Sequence, residues 1–386
     1  MKRAGILCFI LLLMVLSITG CWNLREPDHI AFDLGTGMDL TKDGKMELST
    51  LIAIPAGVGG SSDGGGGGPK KKSSIVIKAT GRDIYDANQN LQRLLSRKLF
   101  LGHRQIIVVG QRMAEHGLGN LLDEFVRNPD SEMRSRKYVV KDGLAKDVLS
   151  VNTIFDPYVT DALVREISTL GLKHYYHRDF FADAMSQGTQ PLMPAVRLNA
   201  SKKYVYAGTG IFNKDNGLKL VGFLNVEETA YANWITGRQT GFAVHSFVTQ
   251  GNGYVSLNLQ SLGKRIRVKM VDNQPQIDVR LTGQGFIIEN NASLDPSKPK
   301  DLQIIQDELS QTAQKSIQQL IKKAQNQYKL DFFGFGERVH EQYPRQWKTT
   351  LNQKWNETFP QVPISIKVEL QCKDMGQTNS STRRMP

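Results

Sequence analysis

The first 25 residues constrain this chain more than any other stretch, because they dictate where the remainder has to fold. Lys2 and Arg3 precede an apolar run, Ile6–Ile18, that ends in Ile18-Thr19-Gly20-Cys21. The run is shorter than the roughly 20 residues needed to cross a ~30 Å hydrocarbon core, so it reads as an export signal over residues 1–20 and not as a permanent span. A cysteine directly after the small pair Thr19-Gly20 offers a thiol for a diacylglyceryl thioether, which makes Cys21 the first residue of a mature lipid-modified protein. An ordinary signal with an incidental cysteine is the plainer alternative. Each buried methylene of such a lipid contributes about 0.8 kcal/mol, so two acyl chains anchor stably where one holds only marginally. Later apolar stretches are short and broken by charge. The body is therefore expected to fold in water, on the outer face of a cytoplasmic membrane.

Composition narrows what that body can be. A chain of 386 residues with 40% hydrophobic and 22% charged residues can bury sizeable cores in two or three domains. The net charge is +12, part of it leaving with Lys2 and Arg3. A basic body tethered to a bilayer is drawn to anionic headgroups. Nucleic acid, the other common partner of basic proteins, is discounted for an exported chain that carries no recognised binding motif. Cys8 leaves with the signal and Cys21 carries lipid, which leaves Cys372 alone. No internal disulfide or cysteine-based metal site can form from one thiol.

Along the chain, the turn Thr41-Lys42-Asp43-Gly44-Lys45 between apolar clusters predicts a β-hairpin. A glycine-rich, lysine-ended loop follows over 57–72, a flexible composition. Strands are expected at Ser74–Ala79, Gln105–Val109 and Tyr138–Val140, and helices at Asp83–Leu99, Ala114–Val126, Val159–Thr169 and Phe180–Ser186. That alternation implies crossovers and a mixed sheet covered by helices. From Lys203 to Ile288 short strands dominate, with one helix at Glu227–Ile235. They end in an antiparallel hairpin of Arg265–Met270 and Gln276–Leu281 with one wet face. Leu302, Ile305, Leu309, Ala313, Ile317, Leu320, Ala324 and Tyr328 then recur at steps of three or four. They predict one long amphipathic helix, read as lying on its own sheet and not as a coiled coil. Helices at Phe335–Gln342 and Arg345–Asn356 and a strand at Pro363–Leu370 complete the pattern.

The search for chemistry lowers the case for an enzyme. Gly35/Gly37, Gly208/Gly210, Gly283/Gly285 and Gly334/Gly336 all lack the third glycine of a dinucleotide fingerprint, and Pro69 occupies the glycine position before Lys70 that a phosphate loop needs. His174 and His177 are spaced to clip a metal, but they lack the HExxH context and are read as surface histidines. No GxSxG nucleophile elbow occurs. Cofactors and metals are accordingly expected to be none.

Five segments then line up in order. They are Gly20-Cys21-Trp22-Asn23-x-Arg25-Glu26; Gly81-Arg82-Asp83 with Leu95-Ser96-Arg97-Lys98-Leu99-Phe100-x-Gly102-His103; Pro191-Leu-Met-Pro194; Gly210-Ile-Phe212 with Val221-Gly-Phe-Leu224 and Glu227-Glu-Thr229; and Asp331-Phe-Phe-Gly334-Phe-Gly336 with Trp347 and Trp355. Together they resemble the Ger(x)C family, the C subunits of spore germinant receptors, over nearly the whole chain. Pro27 and Gln111 depart from the family pattern. The resemblance implies an α+β fold of three domains, each with its own β-sheet (mixed or antiparallel) flanked by helices. Those domains would fall at 21–198, 199–288 and 289–374, with a disordered tail at 375–386. It also implies a non-enzymatic, lipid-anchored subunit on the outer face of the spore inner membrane, beside A-type and B-type integral membrane subunits.

Lipid attachment is assigned to Cys21. Arg82, Arg97 and His103, near the ends of the first long helix, are candidates for partner contact, with solvated or capping residues as the alternative for the two arginines. Two other functions stay open: a lipoprotein that captures a small nutrient directly, which ligand-induced thermal stabilisation would reveal, and a spore cortex hydrolase.

Overall fold

The computed structural model describes residues 26–54, 73–121, 127 and 133–374; the expected signal 1–20, Cys21, the glycine-rich stretch 57–72 and the tail 375–386 lie outside them. The hairpin foreseen around Thr41–Lys45 is present, joining β1 (Ile30–Leu40) and β2 (Met46–Ala53), and β3 (Ser74–Gly81) lies antiparallel outside β2. Helices and strands then alternate. α1 (Ile84–Gln92) leads to β4 (Lys98–Phe100) and β5 (Ile106–Val109), and α2 (Gln111–His116) leads to β6 (Arg136–Val140). α3 (Ala145–Leu149), α4 (Val159–Thr169) and α5 (His177–Met185) lead to β7 (Leu192–Leu198). β1, β5, β6 and β7 run parallel, as crossover connections require. β8 (Tyr204–Asn213) and β9 (Lys219–Leu224) add on antiparallel.

Every residue of Ile106–Val109 is buried, as expected for a parallel strand covered on both faces. Alternate side chains divide two cores. Ile107, Val109 and Val139 pack with α1, α2 and α5, whereas Ile106, Val108, Tyr138 and Val140 pack with α4.

After α6 (Val226–Thr236) a second sheet forms, in the order β10 (Phe242–Val248), β11 (Gly253–Val271), β12 (Gln274–Asn290) and β13 (Ile364–Asp374). β11 and β12 are a long hairpin whose turn residues Asp272 and Asn273 both have positive φ (50° and 61°), matching the twist of the flanking strands. α7 (Pro299–Lys322), continued by a π turn at Lys323–Tyr328, lies on this sheet. Its buried stripe Ile305, Leu309, Ala313 and Ile317 shares one core with Leu257, Leu281 and Val368. Gln306, Ser310 and Gln314, successive turns of α7, accept the backbone N–H groups of Cys372, Leu370 and Val368 at 2.9, 3.0 and 3.3 Å. The outer edge of β13 is thereby occupied by side chains, which protects it from pairing with another chain.

The α+β class agrees with expectation, but the sheet count is corrected: the described residues form two sheets, not one for each of three regions. The strands of 199–288 divide between them. β8 and β9 continue the first sheet because β8 pairs back on β7, while β11 and β12 join β13 from the far end of the chain.

Two helices are also shorter than predicted. α1 stops at Gln92 because its side chain bonds both Arg97 O and Leu99 N at 2.9 Å, turning the chain into β4, which pairs with the start of β1. The helix expected at Ala114–Val126 is broken: α2 begins at Gln111 and ends before Gly117, whose φ of 120° no helix accommodates, helical residues resume at 119–121, and residues 122–126 lie outside those described. The strands Tyr254–Leu259 and Arg265–Met270 are one strand, bulged between Leu259 and Ser261.

Candidate functional site

The predicted contact residues sit around α1. Gly81 ends β3 so close to that helix that a Cβ there would lie 2.3 Å from Ala87 N. Asp83 caps the helix by accepting Asp86 N–H at 2.8 Å. Arg82 donates its backbone N–H and its Nε to Asp86 at 3.0 and 3.1 Å, and these bonds hold the Asp86 carboxyl below its usual range. The Arg82 side chain is 88% exposed. Arg97 is exposed beyond the other end of α1, about 13 Å of helix away. His103 stacks on Phe32, with ring centroids 5.3 Å apart, and meets the edge of Phe100. Among the described residues no hydrogen bond, ion pair or ring contact joins any two of Arg82, Arg97 and His103. All three are exposed, but they do not form a cluster: Arg82 and Arg97 lie beyond opposite ends of α1, and His103 lies past β4 against Phe32, away from the helix ends where it was expected.

Arg97 does border a feature that sequence reasoning missed. An apolar groove of about 710 Å³ lies between the start of β1 and the ends of β2 and β3, lined by Ile30, Phe32, Ile52, Ile54, Ile75 and Leu95. Asp28 stands at its rim. Replacing Asp83 with alanine should cost about 1 kcal/mol in chemical denaturation through loss of the cap.

The second site is the junction between the two sheets, built around Asp331. Its carboxylate is buried and accepts N–H groups from Phe333 and Gly334 at 3.0 Å, Gly336 at 2.7 Å and the Trp355 indole at 3.0 Å. Burial pushes this carboxyl up to about 6, against the pull of those donors. The same residue's carbonyl accepts Gln190 N–H at 2.8 Å, reaching into the first half of the chain. Gly188 and Gly336 touch here: a Cβ on Gly336 would lie 2.5 Å from Trp355 Nε1 and 2.7 Å from Gly188 Cα. Trp347, which opens a π-helical turn, donates its indole N–H to Gln187 at 3.0 Å.

Two ion pairs brace the same boundary, Lys323 to Glu228 at 2.8 Å and Arg238 to Asp183 at 2.7 Å. A polar crevice of about 480 Å³ opens beside the junction. There Asp215 accepts Gln190 and Asn356 amide donors at 2.7 and 2.8 Å. This arrangement clamps two bodies together.

In the sequence Asp331 stood out only as part of a resemblance, and Gly334 and Gly336 there and as a glycine pair short of a dinucleotide fingerprint. An aspartate followed by glycines three and five residues on is itself a signal for a side chain that gathers backbone donors. His174 and His177 have separate surroundings. His177 is buried against Phe181, while His174 accepts from Arg136 at 3.4 Å. Among the described residues no helix is long and apolar enough to cross a membrane.

Comparison with known proteins divides the chain at the start of β8, although β8 and β9 belong to the first sheet. A family described as "Spore germination protein N-terminal domain" matches residues 23–198, and one described as "Spore germination B3/ GerAC like, C-terminal" matches 207–376. Spore germination protein KC of Bacillus subtilis (strain 168) is 25% identical over 98% of each chain. From the same organism, spore germination protein B3 is 22% identical over 95% of this chain and 97% of that one. Spore germination protein A3 is 21% identical over 97% and 98%. The crystal structure of the GerBC protein superposes with a TM-score of 0.57 at 19% identity, covering 88% of this chain and 97% of that chain, a likeness of fold.

Proposed function

Because the chain belongs to the Ger(x)C family of spore germinant receptor C subunits, we propose that it is the lipid-anchored, non-enzymatic subunit of a nutrient receptor, acting in receptor assembly and signalling during spore germination. The observation that carries this reading is that the two family matches tile the chain in order, 23–198 and 207–376, and so span both halves of the clamp. Diacylglyceryl on Cys21 would hold the body on the outer face of the spore inner membrane, beside A-type and B-type integral subunits. It needs no cofactor, metal or nucleic acid for that role. Tethering on a surface raises the effective concentration for such neighbours to roughly millimolar, so modest interfaces suffice. The exposed neighbourhood of Arg82, Arg97 and His103, with the apolar groove beside it, supplies one such interface on this reading.

A pull-down of the tagged protein from detergent-solubilised spore membranes is expected to bring down integral subunits. Recovery of the protein alone, under conditions where those subunits stay intact, would count against a receptor role.

A further inference from the structure

The outer face of the second sheet, opposite α7, carries cations in register. Arg265 on β11 pairs across from Arg280 on β12, and Arg280 pairs across from Lys367 on β13. Three like charges thus stand directly opposite one another across three strands, an arrangement that destabilises a sheet when nothing neutralises it. Arg267 and Lys269 continue the row along β11, and all five side chains are exposed. Compensation is thin: Lys269 pairs with Asp278 at 3.3 Å and Lys367 with Glu369 at 2.7 Å. Arg267 stands directly across from Asp278, and Lys367, helped by Arg280, holds the Glu369 carboxyl below its usual range, but among the described residues Arg265, Arg267 and Arg280 form no ion pair within 4.0 Å. Arg265, Arg267, Lys269, Arg280 and Lys367 border one shallow concavity of about 360 Å³.

We propose that this face binds the phosphate headgroups of an anionic lipid surface. Guanidinium groups bind phosphate oxygens bidentately, and a flat row of cations fits a plane of headgroups better than a deep pocket would. The choice of lipid over another anion rests on the membrane location proposed above. An anchor at Cys21 fixes one point of the body, and a second, electrostatic contact would fix its orientation. Each cation near such a surface is worth about 1 kcal/mol, a factor of about five in partitioning.

The test uses the chain from Trp22 to Pro386, which retains every described contact and lacks Cys21. Sedimentation is measured with phosphatidylcholine vesicles containing one-third phosphatidylglycerol and with phosphatidylcholine alone. Binding is expected only to the anionic vesicles. It should fall steeply as salt rises from about 0.1 M to 1 M, where the Debye length shrinks from about 10 to 3 Å. Replacing Arg265→Gln and Arg280→Gln together should lower partitioning about thirty-fold, and Arg265→Glu with Arg280→Glu should lower it further. Lys315→Glu with Lys322→Glu, which changes the net charge equally on the exposed side of α7, should leave it within two-fold. Unchanged melting temperatures exclude a folding defect. Equal binding to neutral vesicles, or an equal loss in the α7 pair, would overturn the proposal. So would preference for a soluble polyglutamate over the vesicles, which would point to an acidic protein segment. Because Cys21 is absent from this chain, a failed anchor and a failed basic face give separate results.

Discussion

Replacing Asp331 with alanine is expected to lower stability by about 4 kcal/mol at neutral pH, as the loss of a buried charged acceptor does. It should also loosen the contact between the two halves of the protein. Three backbone N–H groups and the Trp355 indole converge on that carboxylate, and each donor left unpaired in the interior costs about 1–3 kcal/mol. Not all four penalties add, because the loop can relax and admit water. Asp331→Asn preserves the shape but turns an N–H₂ toward donors, so about half the loss should remain.

The pH dependence follows from the same burial. The folded-state value of about 6 lies above the ordinary 3.8, so between those values the folded protein holds a proton that the unfolded chain gives up. The part of this group's contribution that depends on its proton is full below about 4 and is lost as pH rises through about 6, which leaves at neutral pH the hydrogen bonds that the ionised carboxylate accepts. The stability gap between wild type and Asp331→Asn should therefore narrow across that window. Urea denaturation of both proteins at several pH values measures it. A loss below 1 kcal/mol for Asp331→Ala would show that the clamp lies elsewhere.

The largest effect on location is expected from Cys21→Ala, examined with the first 20 residues exchanged for a signal cleaved independently of cysteine so that a retained signal cannot hold the protein. Two acyl chains contribute many times the marginal binding of one myristoyl group. The fraction that stays with membranes in about 1 M salt, where electrostatic contacts are screened to about 3 Å, should fall at least ten-fold. Mass spectrometry of the wild-type amino-terminal peptide should show diacylglyceryl on Cys21. An unmodified terminus in protein recovered from dormant spores would refute the anchor outright.

Much of the fold was legible because local periodicity and tertiary packing agree. Val159–Thr169 and Phe335–Gln342 are helices over the expected residues, and the stripe from Leu302 to Tyr328 is the face that α7 buries. The failures arise where a distant partner overrides a local pattern. Leu94 and Leu95 keep helical spacing with Leu91, yet β1 offers backbone pairing to Lys98–Phe100, so Leu94 ends 61% exposed. The two-sheet arrangement depends on β13 joining β12 in parallel, a pairing of residues some 87 positions apart, and no local window contains it.

The candidate sites divide in the same way. The proposal for Cys21 rests on its immediate neighbours alone and on residues outside those described. The row Arg265, Arg280 and Lys367 is visible as separate alternations but becomes a row only through strand register. Asp331 looked like one more acidic residue until its glycines brought the donors to it.

The final described strand of the chain has a consequence for biosynthesis. β13 is translated after every other described strand, yet it completes the sheet on which α7 rests and fills that core with Ile366, Val368 and Leu370. During synthesis the first sheet can assemble while the second waits for Ile366, Val368 and Leu370 to complete its core. A product cut short before Ile364 would lack this strand and leave the core beneath α7 incomplete, a surface that proteases can attack.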